Sequence, residues 1–188
     1  MGAWRSLLAL IAALMALAPA QAAPVPASEV RAALTDITDA MAARLMDDHG
    51  RARGDYHWAS GEWREYEPAW HTGQMIEALL AAHETTGDPR YLTRARIAGE
   101  WWIALELKDG PFKGMINAAH GDRLGALINF TTVGNGTPGL FRLSRVTGDA
   151  RYADVATRAI IWLARNTQVP GHPGLYYNIL DPATGTIW

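Results

Sequence analysis

Thr86-Gly87-Asp88-Pro89-Arg90-Tyr91 and Thr147-Gly148-Asp149-Ala150-Arg151-Tyr152 are one turn written twice, 61 residues apart. In each copy Gly is the residue that stops a helix in the left-handed conformation. Asp then caps the next helix by accepting its free N–H groups, and Pro89 takes a first helical position, where a missing N–H costs nothing. Each copy therefore joins two helices packed antiparallel. Extending the alignment over residues 69–102 and 130–163 gives ten identities, among them Gly73/Gly134, Leu79/Leu140, Ala95/Ala156 and Trp101/Trp162. A helical hairpin of this size cannot bury its apolar face alone, so the copies must stack.

Outward from the turns, the spacing predicts helices over residues 68–86 and 89–107 in the first copy and 150–166 after the second turn. The helix that ends at Thr147 starts between Thr131 and Thr137, and the Thr137-Pro138 pair favours the later start. An earlier helix over 28–48 is expected, with Ser28 as N-cap and Val30, Leu34, Ile37, Met41 and Leu45 at helical spacing. Residues 50–66 read as a polar, aromatic loop and 108–130 as a long loop with two glycine-rich sections. Residues 175–180 and 186–188 flank Asp181-Pro182-Ala183-Thr184-Gly185, the pattern of a short β-hairpin. The chain stops on Trp188 in mid-pattern. The expected organisation is thus a signal peptide over 1–22 and, over 23–188, the N-terminal part of a longer, all-α domain of stacked helical hairpins with a short C-terminal β-hairpin.

Arg5, the apolar run Leu7 to Leu17, Pro19 and the small-residue site Ala20-Gln21-Ala22 have the form of a secretory signal. Periplasmic or secreted localisation follows, with no membrane contact after cleavage. The mature chain of about 165 residues suffices for one modest domain. It has no cysteine, so stability must come from the hydrophobic core. Basic residues are 15 Arg and two Lys, scattered without a block, which argues against nucleic acid. There is no HExxH, no Cys and no regular His spacing, so no metal and no cofactor are expected. Gly134-x-Gly136-x-x-Gly139 matches a dinucleotide fingerprint, but the expected second strand and ribose-binding acid are missing. The glycines are better explained as letting one inner helix start close to its neighbour.

Short turns after the helices over 68–86 and 131–147, and long loops before them, bring all long loops to one face. The two "TGD-x-R-Y" hairpins with aromatic-terminated outer helices resemble the (α/α) toroids of the six-hairpin glycosidase superfamily, over roughly residues 65–166. Unsaturated uronyl hydrolases, N-acylglucosamine 2-epimerases, β-L-arabinofuranosidases and some polysaccharide lyases share that fold. A full toroid of six hairpins needs about twice this length. The resemblance implies inner helices over 68–86 and up to 147, outer helices elsewhere, and a carbohydrate cleft at the face carrying the long loops.

On that face the richest cluster is Glu65-x-Glu67-x-x-x-His71. Glu67 and His71 are one helical turn apart, and a carboxylate beside an imidazole suits general acid/base work. Glu67, His71 and Glu65 are the candidate catalytic residues, against the plainer view that Glu67 caps a helix and His71 only hydrogen-bonds within the inner ring. Candidate substrate contacts are Trp63, Trp70, Gln74, His120, Asp122, Asn135, Tyr176 and Tyr177, the aromatic ones as platforms for sugar faces. Trp101 and Trp162 are repeat-equivalent and are assigned to the core. The expected function is an exported glycoside hydrolase acting on a glycan or an unsaturated uronyl oligosaccharide. The alternatives are a sugar epimerase or polysaccharide lyase, or a non-catalytic glycan- or protein-binding module, which as an open half-ring would oligomerise.

Overall fold

A computed structural model describes residues 24–63, 67–121 and 125–188. The signal-peptide reading falls outside these residues, as do Glu65 and Asp122. Five helices are present among them: α1 (Ala27–Arg44), α2 (Pro68–Thr86), α3 (Pro89–Ala104), α4 (Phe130–Thr147) and α5 (Ala150–Asn166).

Both repeated turns have the anticipated chemistry. Gly87 and Gly148 adopt φ of 74° and 73°, and their N–H groups close on the carbonyls of His83 and Ser144. Asp88 and Asp149 each accept from the N–H two residues on, at 2.9 and 3.0 Å. The guanidinium of Arg90 lies 5.9 Å from the Tyr91 ring, and that of Arg151 lies 5.7 Å from the Tyr152 ring. Each tyrosine then reaches back to the preceding outer helix. Tyr91 donates to Asp39 on α1 and Tyr152 to Glu100 on α3, both at 2.8 Å. Asp39 and Glu100 are themselves 61 apart, so the repeat extends to α1 and makes it the outer partner of the series.

α2 packs most extensively on α4, and each packs on the outer helix that follows it. The α2–α4 contact is backbone on backbone. A Cβ at Gly73 would fall 2.1 Å from the Gly136 carbonyl oxygen, and one at Gly139 would fall 2.2 Å from the Gly73 oxygen. Ala69 lies against Gly136 and Ile76 against Gly139, so the contacts advance together along both helices. α2 and α4 therefore run parallel, with their N-termini side by side. Behind the glycines, Ile76, Leu79, Leu80, Leu140 and Leu143 fill the core. Trp102 is fully buried there and donates its indole N–H to the Ala69 carbonyl at 3.0 Å. Trp101 and Trp162, assigned to the core from the repeat, are instead half-buried on its edge. One helical step separates Trp101 from Trp102, and the step decides which ring turns inward.

Several boundaries differ from those the sequence suggests. α1 ends at Arg44, where Asp47 takes over the chain by accepting from the N–H groups of His49 and Arg51. Ile37 of α1 faces solvent, at 58% exposure, and Thr38 is buried in its place. α3 stops at Ala104 rather than 107. α4 starts at Phe130, so Thr137-Pro138 lies inside the helix and is not its start. Pro138 leaves the Gly134 carbonyl without its usual N–H, and the Thr137 hydroxyl donates to that oxygen instead, at 3.0 Å.

The loops also contain strands. β1 (Tyr56–His57) and β2 (Glu62–Trp63) form a small hairpin within 50–66. β3 (Ala119–Gly121) and β4 (Gly125–Asn129) occupy the predicted long loop, and β5 (Ile179–Asp181) and β6 (Thr186–Ile187) form the anticipated tail hairpin. The four make one antiparallel sheet in the order β3-β4-β5-β6. Tyr176 and Tyr177 precede β5 and are not in a strand of the sheet. β4 leads directly into α4 but pairs antiparallel on both sides. Among the described residues no parallel βαβ unit surrounds the three glycines, in accord with their packing role.

Candidate functional site

The N-termini of α2 and α4 meet at the end of the bundle where β4 enters. Glu67 is the N-cap of α2 and Asn129 is the N-cap of α4. Glu67 has φ of 44° and ψ of 52°, and it is the one non-glycine residue with positive φ among those described. Holding an L-residue there costs on the order of 1 kcal/mol or more, and such strain persists only where the surroundings enforce it. The enforcement is visible. Glu67 is 1% exposed, and its Oε1 accepts from the Asn129 side-chain amide at 3.2 Å. The Asn129 Oδ1 is occupied by the Thr131 N–H at 2.9 Å and the Thr131 hydroxyl at 2.7 Å. Its NH2 is thereby aimed at the carboxylate. One side chain caps α4, ends β4 and holds Glu67.

His71 follows one turn into α2, its N–H bonded to the Glu67 carbonyl at 3.2 Å. The Trp70 and His71 rings stack at 5.8 Å with an interplanar angle of 2°, and both are half-buried. Two polar atoms at this end are enclosed and lack a hydrogen-bond partner among the described residues, the Trp70 indole N–H and the Thr132 hydroxyl. Phe130, first in α4, donates its N–H to the Asn178 carbonyl at 2.8 Å and stacks on Tyr176 at 5.8 Å. Neither helix has an acidic residue in its first turn beyond the cap, so no first-turn carboxylate opposes the positive end of either helix dipole.

Beside Glu67, a cleft of 430 Å³ opens between the segment 51–54, the β1–β2 hairpin and the start of α2. Arg51, Ala52, Arg53, Gly54, Glu62, Trp63 and Pro68 line it. The segment is held against α2 by the Ala52 N–H, which donates to the Thr72 hydroxyl at 2.8 Å. Arg51 is tied to Asp47 at 3.2 Å, and Arg53 is exposed. The exposed Arg53 guanidinium near a helix N-terminus can attract a carboxylate or other anion, with the Glu62 carboxylate also in the lining.

Of the residues expected at the site, Glu67, Trp70 and His71 share the start of α2, Trp63 lines the cleft beside Pro68, and Tyr176 stacks on Phe130 at the start of α4. Gln74 and Asn135 are exposed one turn further along α2 and α4. Tyr177 is 37% exposed, with its N–H on the Thr167 carbonyl. His120 is placed in β3 by its backbone. Arg51 and Arg53 are not among the expected contacts. Asn129 lies on the expected loop face, and its role as the cap of α4 follows from the helix start at Phe130.

The chain has the architecture of solved enzymes of the (α/α) toroid fold. A GH76 α-mannanase of Bacteroides thetaiotaomicron matches with 20% identity and a TM-score of 0.52, over 63% of this chain and 32% of that one. Cellobiose 2-epimerase of Bacillus thermoamylovorans matches with 12% identity and a TM-score of 0.62, over 85% and 41%. An unsaturated glucuronyl hydrolase of Bacillus sp. GL1 matches with 21% identity and a TM-score of 0.53, over 80% and 45%. These likenesses concern fold, and the chain spans less than half the length of each structure. No curated protein sequence matches it. By sequence pattern over residues 33–170, the chain belongs to the β-L-arabinofuranosidase family, GH127 catalytic domain.

Proposed function

We propose that this chain forms part of an exported carbohydrate-active enzyme, a glycoside hydrolase acting on a glycan or an unsaturated uronyl oligosaccharide. Family membership supports the carbohydrate class. The observation that carries the site is the enclosed carboxylate of Glu67, held in a strained backbone conformation where two parallel helix N-termini meet, beside a cleft with two arginines and a tryptophan. In this reading Trp63 offers its ring to a sugar face, while Arg51, Arg53 and the α2 N-terminus receive a carboxylate or a developing negative charge. The half-buried His71 exchanges protons with the substrate, and Glu67 acts from the layer beneath it.

The test begins with purified protein on a panel of arabinans, pectic polysaccharides, mannans and unsaturated uronyl oligosaccharides. Glu67→Gln and His71→Ala should each lower turnover by about a hundredfold or more, with an unchanged helical circular dichroism spectrum. Full turnover in both variants removes the pair from the mechanism. Export predicts a mature N-terminus at Ala23, readable by mass spectrometry of the secreted protein. A second reading, a sugar epimerase on the same scaffold, draws on the likeness to cellobiose 2-epimerase. Chromatography separates the two, since hydrolysis creates a new reducing end and epimerisation does not.

A further inference from the structure

The β1–β2 hairpin carries three aromatic rings, and the sugar-site assignment uses only one of them. Trp63 lines the cleft. Its ring packs on Tyr56 at a centroid distance of 5.0 Å, and Tyr56 in turn meets Trp58 edge-on at 6.4 Å. The series leads outward from the cleft and ends in solvent. Tyr56 is 46% exposed and Trp58 is 89% exposed. Burial elsewhere in the fold would stabilise a tryptophan, so a ring left this open is a feature to explain.

The hairpin holds that ring in place. The His57 Nδ1 and the Ser60 hydroxyl are 2.6 Å apart, and the Gly61 N–H donates to the His57 carbonyl at 2.9 Å. Gly61 adopts φ of 69°, a conformation that suits glycine and closes the turn tightly. The tip around Trp58 is Ala59 and Ser60, while the inner rings Tyr56 and Trp63 also border a groove lined by Ala40, Met41 and Leu45. Rings that touch in series and run from a polar, charged cleft to an open tip suit a ligand whose own surface alternates C–H faces and hydroxyls.

We propose that Tyr56 and Trp58 form a binding track for the units of a glycan chain beyond the unit seated in the cleft, so that the ligand is an oligosaccharide or polysaccharide and not a monosaccharide. This rests on the carbohydrate reading of the cleft and adds chain length to it. Trp63 serves the first unit, and Trp58 serves only later ones.

Tryptophan fluorescence and calorimetric titrations of the protein with arabinan oligosaccharides and oligogalacturonides of one to six units test the track. Affinity should rise with length in one series, by about tenfold between two and four units, the equivalent of one well-placed aromatic contact. Trp58→Ala should abolish that rise while leaving the affinity for the shortest bound unit unchanged. Trp63→Ala should weaken every length. A wild-type protein that binds no longer member more tightly than the monosaccharide overturns the proposal, as does a Trp58→Ala variant with an intact length dependence. If Trp63→Ala leaves binding of the first unit intact, the cleft assignment itself fails, which is a separate result. Size-exclusion chromatography adds a further outcome: a dimer that Trp58→Ala converts to monomer would assign the ring to a second copy of the chain and sink the glycan track.

Discussion

Replacing Gly139 by Ala should push the two inner helices apart. The new Cβ would lie 2.2 Å from the Gly73 carbonyl oxygen and 3.1 Å from the Ile76 Cβ. A helical carbonyl cannot rotate aside, so the backbones must separate by about 1 Å, and the leucines behind them lose contact. Overpacking of this kind costs about 1–3 kcal/mol. Alanine offsets part of this, because it is better than glycine in a helix by about 0.8–1.0 kcal/mol. Gly134, on the same helix, supplies the control, since a Cβ there meets nothing within 4 Å. Gly134→Ala retains the propensity gain and suffers no clash. In a domain of this size 1 kcal/mol moves the melting temperature by about 2–4 °C. Gly139→Ala should therefore melt up to about 8 °C below the wild type, and Gly134→Ala about 2–4 °C above it. Thermal scans by far-UV circular dichroism read both. Equal melting temperatures for the two variants would refute the glycine contact, and with it the side-by-side helix ends on which the site is built.

Asn129→Ala removes a helix cap and the donor to Glu67, and urea unfolding should show a loss of about 1–2 kcal/mol. Asn129→Asp keeps the cap but sets a second carboxylate against Glu67. Its deficit should be at least as large as that of Asn129→Ala, and an Asn129→Asp protein as stable as the wild type would refute the contact. Glu106 offers a test away from the site. Arg158 donates to it at 2.6 and 3.0 Å and Lys108 also pairs with it, and the Arg158 hydrogen bonds chiefly hold its carboxyl below the ordinary 4.5. A depressed carboxyl adds stability that is complete above its unfolded value and fades as pH falls through the folded one. The stability gap between wild type and Glu106→Gln should then be constant at neutral pH and narrow below 4.5, and a gap that persists into strong acid would refute the pairing.

The parts of the site that could be read in advance are those whose signals lie within a turn or two of one another. Glu67, Trp70 and His71 share one helix start, and that start was evident from Pro68 and the apolar residues after it. Asn129 belongs to a long loop of the expected cleft face, but its capping role is hidden because Thr137-Pro138 imitates a helix start, and the Thr137 hydroxyl, by replacing the missing N–H, lets the helix continue through it. The repeat points to Trp101 for the core, because its partner is also a tryptophan. Its neighbour Trp102 took that place because its N–H finds the Ala69 carbonyl across α2.

The helical-hairpin architecture follows from residue order, because the forces that make each turn act over neighbouring positions: a left-handed glycine, an aspartate accepting from the second N–H beyond it, a proline at a first helical position. The site does not follow in that way. Glu67 is bonded to Asn129, 62 positions away, and β4 is paired with β5, some fifty positions on. The glycines that touch, Gly73 with Gly136 and Gly139, are not the pair that aligns in the repeat. Contacts this distant carry no local signature. They arise when parallel helices choose a relative height and rotation, and that choice is made by close packing of the whole core.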